Sequence, residues 1–149
     1  MDDNSNNKKM VTLVKKKFPK LFVTEIIDNN LKFGPELDDG FIEYKRTLVD
    51  CSEIKVAKYA TQMRWRIMEN IRNHSATYFI GIDDNGSIIG LSNEEIIDCI
   101  VCFVSIAASI NASITCIQIT HVNDLTIIKI IVKIKKIKDN YLVEFGEKI

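Results

Sequence analysis

The chain has 149 residues, 46% of them apolar, and its 20 basic residues balance 20 acidic ones for a formal net charge of zero. That length fits one ordinary domain with a real core, and the zero balance excludes a simple polycation held on nucleic acid by bulk charge. The charge is unevenly spread, with Lys8, Lys9, Lys15, Lys16, Lys17 and Lys20 near the start, Lys129, Lys133, Lys135, Lys136 and Lys138 near the end, and carboxylates in the middle.

Residues 1–9 are polar and are expected to form a disordered basic tail. Residues 10–34 are expected to be an N-terminal arm or helix, with Met10 to Phe18 helical up to Pro19. The stretch from Phe22 to Phe33 reads as either helix or extended arm. A single α+β domain is expected over 35–149. Its first strand runs from Phe41 to Leu48, and alternation puts Glu43 and Lys45 on one face. A helix follows from about Ser52 to Asn73, capped by Ser52, with Ala57, Ala60, Met63 (or Arg64), Ile67 and Ile71 on its apolar face.

The segment "ATYFIGIDDNGSIIGLS" reads as a β-hairpin, because Asn85-Gly86 supplies the positive φ angles of a tight turn. Asp84, Asn85 and Gly86 are turn residues, whereas the turn does not require Asp83. Ser92 and Glu95 have the spacing of a capping box, so a second helix starts there and runs to about Ile110. Ser113 to Thr120 alternates as a strand. After a turn at Asn123-Asp124, Leu125 to Lys138 forms a long strand with Lys129, Lys133 and Lys135 on one face, and Tyr141 to Phe145 adds a short last one. The order β-α-β-β-α-β-β predicts an α+β fold, a mixed or antiparallel sheet with two main helices packed on one face.

The cysteines are Cys51, Cys99, Cys102 and Cys116. Cys99 and Cys102 form C-x-x-C, but without a second pair or a nearby histidine they read as core thiols on an apolar helix. The apolar run from Cys99 to Ile110 is too short to span a membrane. The polar first ten residues carry no signal peptide pattern, so a reduced, cytoplasmic protein is expected. His74 and His121 have no partners at ligand spacing. No phosphate-cradling Gly-x-x-x-x-Gly-Lys motif occurs, so no nucleotide is expected.

Two constellations carry chemistry. Arg64-Trp65-Arg66 with Arg72 on the first helix forms a stacking and phosphate-binding patch, since Arg pairs phosphate oxygens and Trp stacks on bases. Its bland counterpart is a half-buried Trp beside solvated arginines. Asp38, Glu43 and Asp83 form a set that could hold a divalent metal for phosphodiester cleavage. Their bland reading is a loop residue, a carboxylate paired with Lys45 or Arg46, and a turn residue.

The ordered blocks "GFIEYKRTLVD", "ATQMRWRI" and "YFIGIDDNGSIIGLSNEEI" resemble the domain that precedes the GTPase module in the GTP-binding protein 1 and 2 family. The resemblance covers roughly residues 35–138. The chain ends at "YLVEFGEKI", where the family's GTPase would begin, so GTP hydrolysis is not among the expectations. A short, stand-alone chain of this type also resembles the microsporidian ribosome dormancy factors, which occupy tRNA sites on idle ribosomes. That resemblance implies a monomeric, non-enzymatic ribosome-binding protein without cofactor or metal. Its partners would be rRNA and ribosomal proteins near the tRNA sites, with no membrane. The expected contact residues are Lys8, Lys9, Lys15, Lys16, Lys17, Lys20, Arg64, Trp65, Arg66, Arg72, Lys129, Lys133, Lys135 and Lys136.

A more distant likeness, Glu-Tyr-Lys followed by Gly-Ile-Asp-Asp, is to the AlbA-like core of schlafen proteins. It implies a metal-dependent endoribonuclease using Asp38, Glu43 and Asp83, with Asp38 in place of the usual Glu. A third reading is an interaction module that acts in trans with a translational GTPase.

Overall fold

The computed structural model describes residues 2–134, with side chains from residue 10 onward. Helix α1 (Asp2–Lys17) leads into strand β1 (Val23–Ile27), β2 (Ile42–Lys45), α2 (Glu53–Glu69), β3 (Ser75–Ile80), α3 (Asn93–Ser109), β4 (Ala112–Val122) and β5 (Leu125–Ile134). The five strands form one mixed sheet in the order β1-β4-β5-β3-β2. The centre is antiparallel, β3 on β5 and β5 on β4, and each edge strand joins in parallel, β1 on β4 and β2 on β3. The fold is α+β, as expected.

Local chemistry explains the best-defined elements. Ser92 accepts the Glu95 N–H while the Glu95 carboxylate accepts the Ser92 N–H, so the capping box is complete. Ser52 caps α2 by accepting from Lys55 N–H. The β4–β5 hairpin closes at Val122↔Leu125, with Asn123 in the left-handed region at φ 56°.

Alternation gives the sheet two unlike faces. Ala76, Tyr78, Ile80, Ile117, Ile119, Ile128, Ile130 and Val132 meet the inner faces of the helices in the main core. The opposite face holds a smaller cluster, Tyr44, Ile82 and Ile127 with Leu31, Phe33, Phe79 and Ile88. There the Phe33 ring stands edge-on to Phe79 at 4.8 Å and to Tyr44 at 5.8 Å.

Several expectations change. The segment from Phe22 to Phe33, read as helix or arm, contains a true strand, because β1 finds its partner far downstream at Val23↔Ile117. Met10, Val14 and Val23 lie in the main core, so residues 10–34 pack with the rest rather than forming a separate arm. The basic helix begins at Asp2 instead of Met10 and so takes in residues expected as a disordered tail.

The hairpin after Thr77 keeps its turn, with a shorter second arm than expected. Asp83 carbonyl accepts Gly86 N–H and Asp83 N–H donates to Ser87 carbonyl, both at 2.9 Å, and beyond the bridge Ile82↔Ile88 the arm bonds back through Ile89 N–H to Gly81 carbonyl at 2.8 Å. Both long edges of β3 are already taken by β2 and β5, and the return chain leaves to place Leu91 N–H on Thr126 carbonyl. Only Gly86 of the Asn-Gly pair has positive φ, at 93°. The helix expected to reach Asn73 stops at Glu69, leaving Ile71 83% exposed. The expected continuation of β5 to Lys138 and the strand from Tyr141 to Phe145 lie outside the described residues.

Candidate nucleic-acid interface

Helix α2 turns Ala60, Met63, Arg66 and Ile67 inward. Arg66 follows Met63 by three residues and so joins the buried stripe, whereas Arg64 and Trp65 face outward. An arginine can sit inside only if its charge and donors are met. Arg66 Nε lies 2.8 Å from Glu43 Oε1, one terminal nitrogen donates to Gly40 carbonyl at 3.0 Å, and the other donates to Leu37 carbonyl at 3.0 Å. Glu36 Oε2 stands a further 3.8 Å away. Arg66 is 4% exposed. The expectation that it contacts RNA is corrected: its guanidinium is spent on the β2 edge and the loop before it.

That buried guanidinium has a second use. Arg66 Cζ lies over the Trp65 ring, 5.2 Å from its centroid, while Trp65 remains 45% exposed. This is a cation–π contact that holds the indole in one orientation. Arg64, the preceding residue on the helix, is exposed, as is Arg72 beyond the helix end. Trp65 and Arg64 form a braced aromatic surface next to a solvated cation.

The lysines occupy other surfaces. Lys15, Lys16, Lys17 and Lys20 are exposed at the end of α1, next to β1. Lys129 and Lys133 pair in register with Phe79 and Ser75, on the sheet face opposite the helices, where Lys129 is half-buried. Lys8 and Lys9 belong to α1, but their side chains are not among those described, and Lys135 and Lys136 lie outside the described residues. The basic residues are thus placed on three separate surfaces: the α2 exterior, the end of α1 and the open sheet face.

Asp38, Glu43 and Asp83 do not form a metal site. Among the described residues, no group of three or more His, Cys, Asp and Glu side chains could hold a metal ion. Glu43 is 3% exposed and held by Arg66 and by Lys45 Nζ at 3.5 Å. Asp38 is exposed in a loop, and Asp83 accepts Asp84 N–H within its turn. The bland reading of Glu43 had the Lys45 partner right and missed the stronger one.

Sequence reasoning missed further polar residues. Glu36 accepts Tyr44 N–H, and burial raises its carboxyl above the ordinary value, with the nearby Glu43 charge acting in the same direction. His121, taken as unpartnered, bridges Glu25 through Nε2 and Thr126 Oγ1 through Nδ1, while Glu25 also accepts Val11 N–H at 3.0 Å. This network fastens α1 to β1, β4 and β5. Its members are far apart in sequence, so spacing could not reveal it.

The chain is 52% identical over 122 residues to the uncharacterized protein R625 of Acanthamoeba polyphaga mimivirus, covering 82% of this chain and 65% of that protein. It is 34% identical over 109 residues to human GTP-binding protein 2, and 38% identical over 84 residues to the Mus musculus protein of the same name. The chain is thus similar to part of GTP-binding protein 2. The homology to GTP-binding protein 2 involves 71% of this chain against the human protein and 56% against the mouse one. It reaches only 18% and 14% of their lengths, within the N-terminal region. No family model matches the chain, and no solved structure matches it. Among the described residues, no helix is long and apolar enough to cross a membrane.

Proposed function

We propose that this protein, which resembles the domain that precedes the GTPase in the GTP-binding protein 1 and 2 family, acts as a ribosome-binding dormancy factor. It occupies tRNA sites through contacts to rRNA and keeps ribosomes translationally idle. The observation that carries the reading is the exposed Trp65 ring, braced by Arg66 at 5.2 Å with the exposed Arg64 next to it on the helix. A fixed indole stacks on an unpaired base at little entropic cost, and exposed arginines such as Arg64 and Arg72 engage phosphates.

The lysines at the end of α1 and on the open sheet face supply phosphate contacts that set orientation. Their spread over separate surfaces suits a compact body wedged in a cleft with rRNA on more than one side. Each such contact releases counterions, so binding weakens steeply with salt. In this mode the protein performs no chemistry. The buried Glu43–Arg66 pair argues against the endoribonuclease alternative, because its central carboxylate is committed to holding the fold.

The test is co-sedimentation of the full chain with ribosomes from its own source across a salt series, with an RNA integrity gel on the same samples. The reading expects stoichiometric binding at low salt that falls as salt rises, with rRNA and tRNA intact. No binding at low salt overturns it. Recovery of the protein with a translational GTPase rather than with ribosomes would replace it by the module acting in trans. RNA cleavage abolished by a chelator would replace it by the nuclease.

A further inference from the structure

Strand β2 stands at one end of the sheet order, so it is paired on one side only. Thr77 N–H donates to Phe41 carbonyl at 2.9 Å, and Gly81 N–H donates to Lys45 carbonyl at 2.7 Å. Backbone groups alternate sides along a strand, so those of residues 41, 43 and 45 are directed at β3, and those of Ile42 and Tyr44 point away from it. Among the described residues, the Ile42 N–H, the Ile42 carbonyl and the Tyr44 carbonyl have no hydrogen-bond partner. The remaining outward group, Tyr44 N–H, is met by the Glu36 carboxylate, which stands where a neighbouring strand's carbonyl would stand.

Beside this edge lies a cavity of about 470 Å³, lined by Pro35, Leu37, Asp39, Phe41, Ile42 and Tyr44. Leu37, Phe41 and Ile42 are exposed there. The two sides of the slot differ in character. Ile42 and Tyr44, in register with Thr77 and Phe79, share the sheet face turned away from the helices. Asp38 and Asp39 are exposed on the loop that Arg66 ties to α2 through the Leu37 and Gly40 carbonyls. Neither aspartate has an ion pair among the described residues.

We propose that this edge docks an extended peptide of a partner protein, taken up as an added strand with apolar and basic side chains in alternation. This does not depend on the ribosome-binding reading.

The backbone carries the affinity. N–H groups of the added strand meet the Ile42 and Tyr44 carbonyls, while its carbonyls meet the Ile42 N–H and, in place of Glu36, the Tyr44 N–H. Glu36 keeps a partner when it is displaced, because its Oε2 already stands 3.8 Å from an Arg66 terminal nitrogen. Side chains carry the selectivity, since alternate residues of a strand point to opposite faces. Those on one face lie beside Ile42 and fill the cavity, and those on the other meet Asp38 and Asp39. Apolar residues suit the first, lysine or arginine the second, and acidic residues are repelled. A second copy of β2 fits poorly: its alternating charged residues are Glu43 and Lys45, and these already engage each other and Arg66.

The experiment titrates the isotope-labelled full chain with acetyl-Lys-Ile-Lys-Val-Lys-Leu-amide and follows the backbone amides by NMR. Expected are shifts concentrated at residues 34–45, slowed solvent exchange of the Ile42 N–H, and NOEs from the peptide backbone to Ile42 and Tyr44. The acidic counterpart, acetyl-Glu-Ile-Glu-Val-Glu-Leu-amide, should not bind. Asp38→Asn and Asp39→Asn, both at exposed positions, should each weaken binding about two- to fivefold. Ile42→Pro removes an outward N–H that β3 does not use and should weaken binding about tenfold or more, with the β3 amide signals in place. Absence of binding by the basic peptide, equal affinity for the two peptides, or shifts that leave Ile42 and Tyr44 unmoved would each overturn the proposal. So would an Ile42 N–H already protected in the free chain, whether by residues 135–149 or, at rising concentration, by a second copy.

Discussion

Arg66 Nε and Glu43 Oε1 lie 2.8 Å apart, both side chains nearly sealed from solvent, and this one contact joins the long helix to the sheet's edge strand. Removing one partner leaves a buried charge uncompensated. Arg66→Ala is therefore expected to cost about 3–5 kcal/mol, read from urea unfolding. Arg66→Lys recovers little, since an ammonium cannot satisfy Glu43 and the Gly40 and Leu37 carbonyls together. A loss below about 1 kcal/mol, the usual range for exposed pairs, would show that the pair is not structural.

Trp65 is the sole tryptophan, so its emission reports directly on the proposed contact. Binding of single-stranded RNA should quench it, and Trp65→Ala should weaken binding by about 1–3 kcal/mol, the usual worth of one base stacked on an aromatic ring. Arg64→Ala and Arg72→Ala should each flatten the dependence of log affinity on log salt by about one phosphate contact. All three variants are exposed and should shift stability by no more than about 0.5 kcal/mol. Unchanged quenching and slope in all three would remove α2 from the interface.

Alkaline pH should loosen the fold through the buried thiols. Burial pushes Cys99 from 9.0 up to about 11, so the folded protein keeps a proton that the unfolded chain loses. Stability is fully present below pH 9.0 and declines as pH rises toward about 11. At about 1.4 kcal/mol per unit, this one thiol accounts for a few kcal/mol across that window. Urea midpoints measured at steps through it, with Cys99→Ala as control, check the sign: the variant should fall less steeply with pH.

Gly86 is fixed by both its backbone and its neighbours. At φ 93°, a Cβ would stand 2.5 Å from Phe33 carbonyl oxygen and 2.6 Å from that of Gly34. A compatible glycine exchange stabilises by about 0.4–1 kcal/mol, whereas Gly86→Ala should destabilise by more than that and should displace the segment carrying Phe33. Loss of the upfield-shifted ring signals of Phe33 and Phe79 in proton NMR would locate the damage. A variant as stable as the parent would mean that the turn and the arm do not touch in solution.

What could be read from the sequence was local. The Ser92/Glu95 box, the Ser52 cap and the β4–β5 hairpin each depend on residues a few positions apart, and each stands where expected. Strand β1 was ambiguous because "VTEII" is short and carries a charge, and because its partner lies far downstream. Arg66 was misjudged as surface because its charge outweighed its position. Yet Ala60, Met63 and Ile67 define the inner stripe, and Arg66 follows Met63 by three, so helical spacing held the signal. The converse error was Ile71, apolar and in phase but beyond the Asn70 cap. Contacts such as Glu25–His121 and Leu48–Cys99 join distant segments, which no periodicity encodes.

The arrangement of the sheet also dictates an order of assembly. β4 and β5 are joined by a two-residue turn and can zip from their tip, whereas β1 must return from the far end of the chain to reach β4. Closing so long a loop costs entropy before any contact repays it, so β1 should dock late. Until it does, the eleven-residue β4 presents a bare row of backbone donors and acceptors, a template for pairing with another chain. The segment expected as an N-terminal arm is the native cover of that edge, and the vulnerable species is the nearly finished fold that still lacks it.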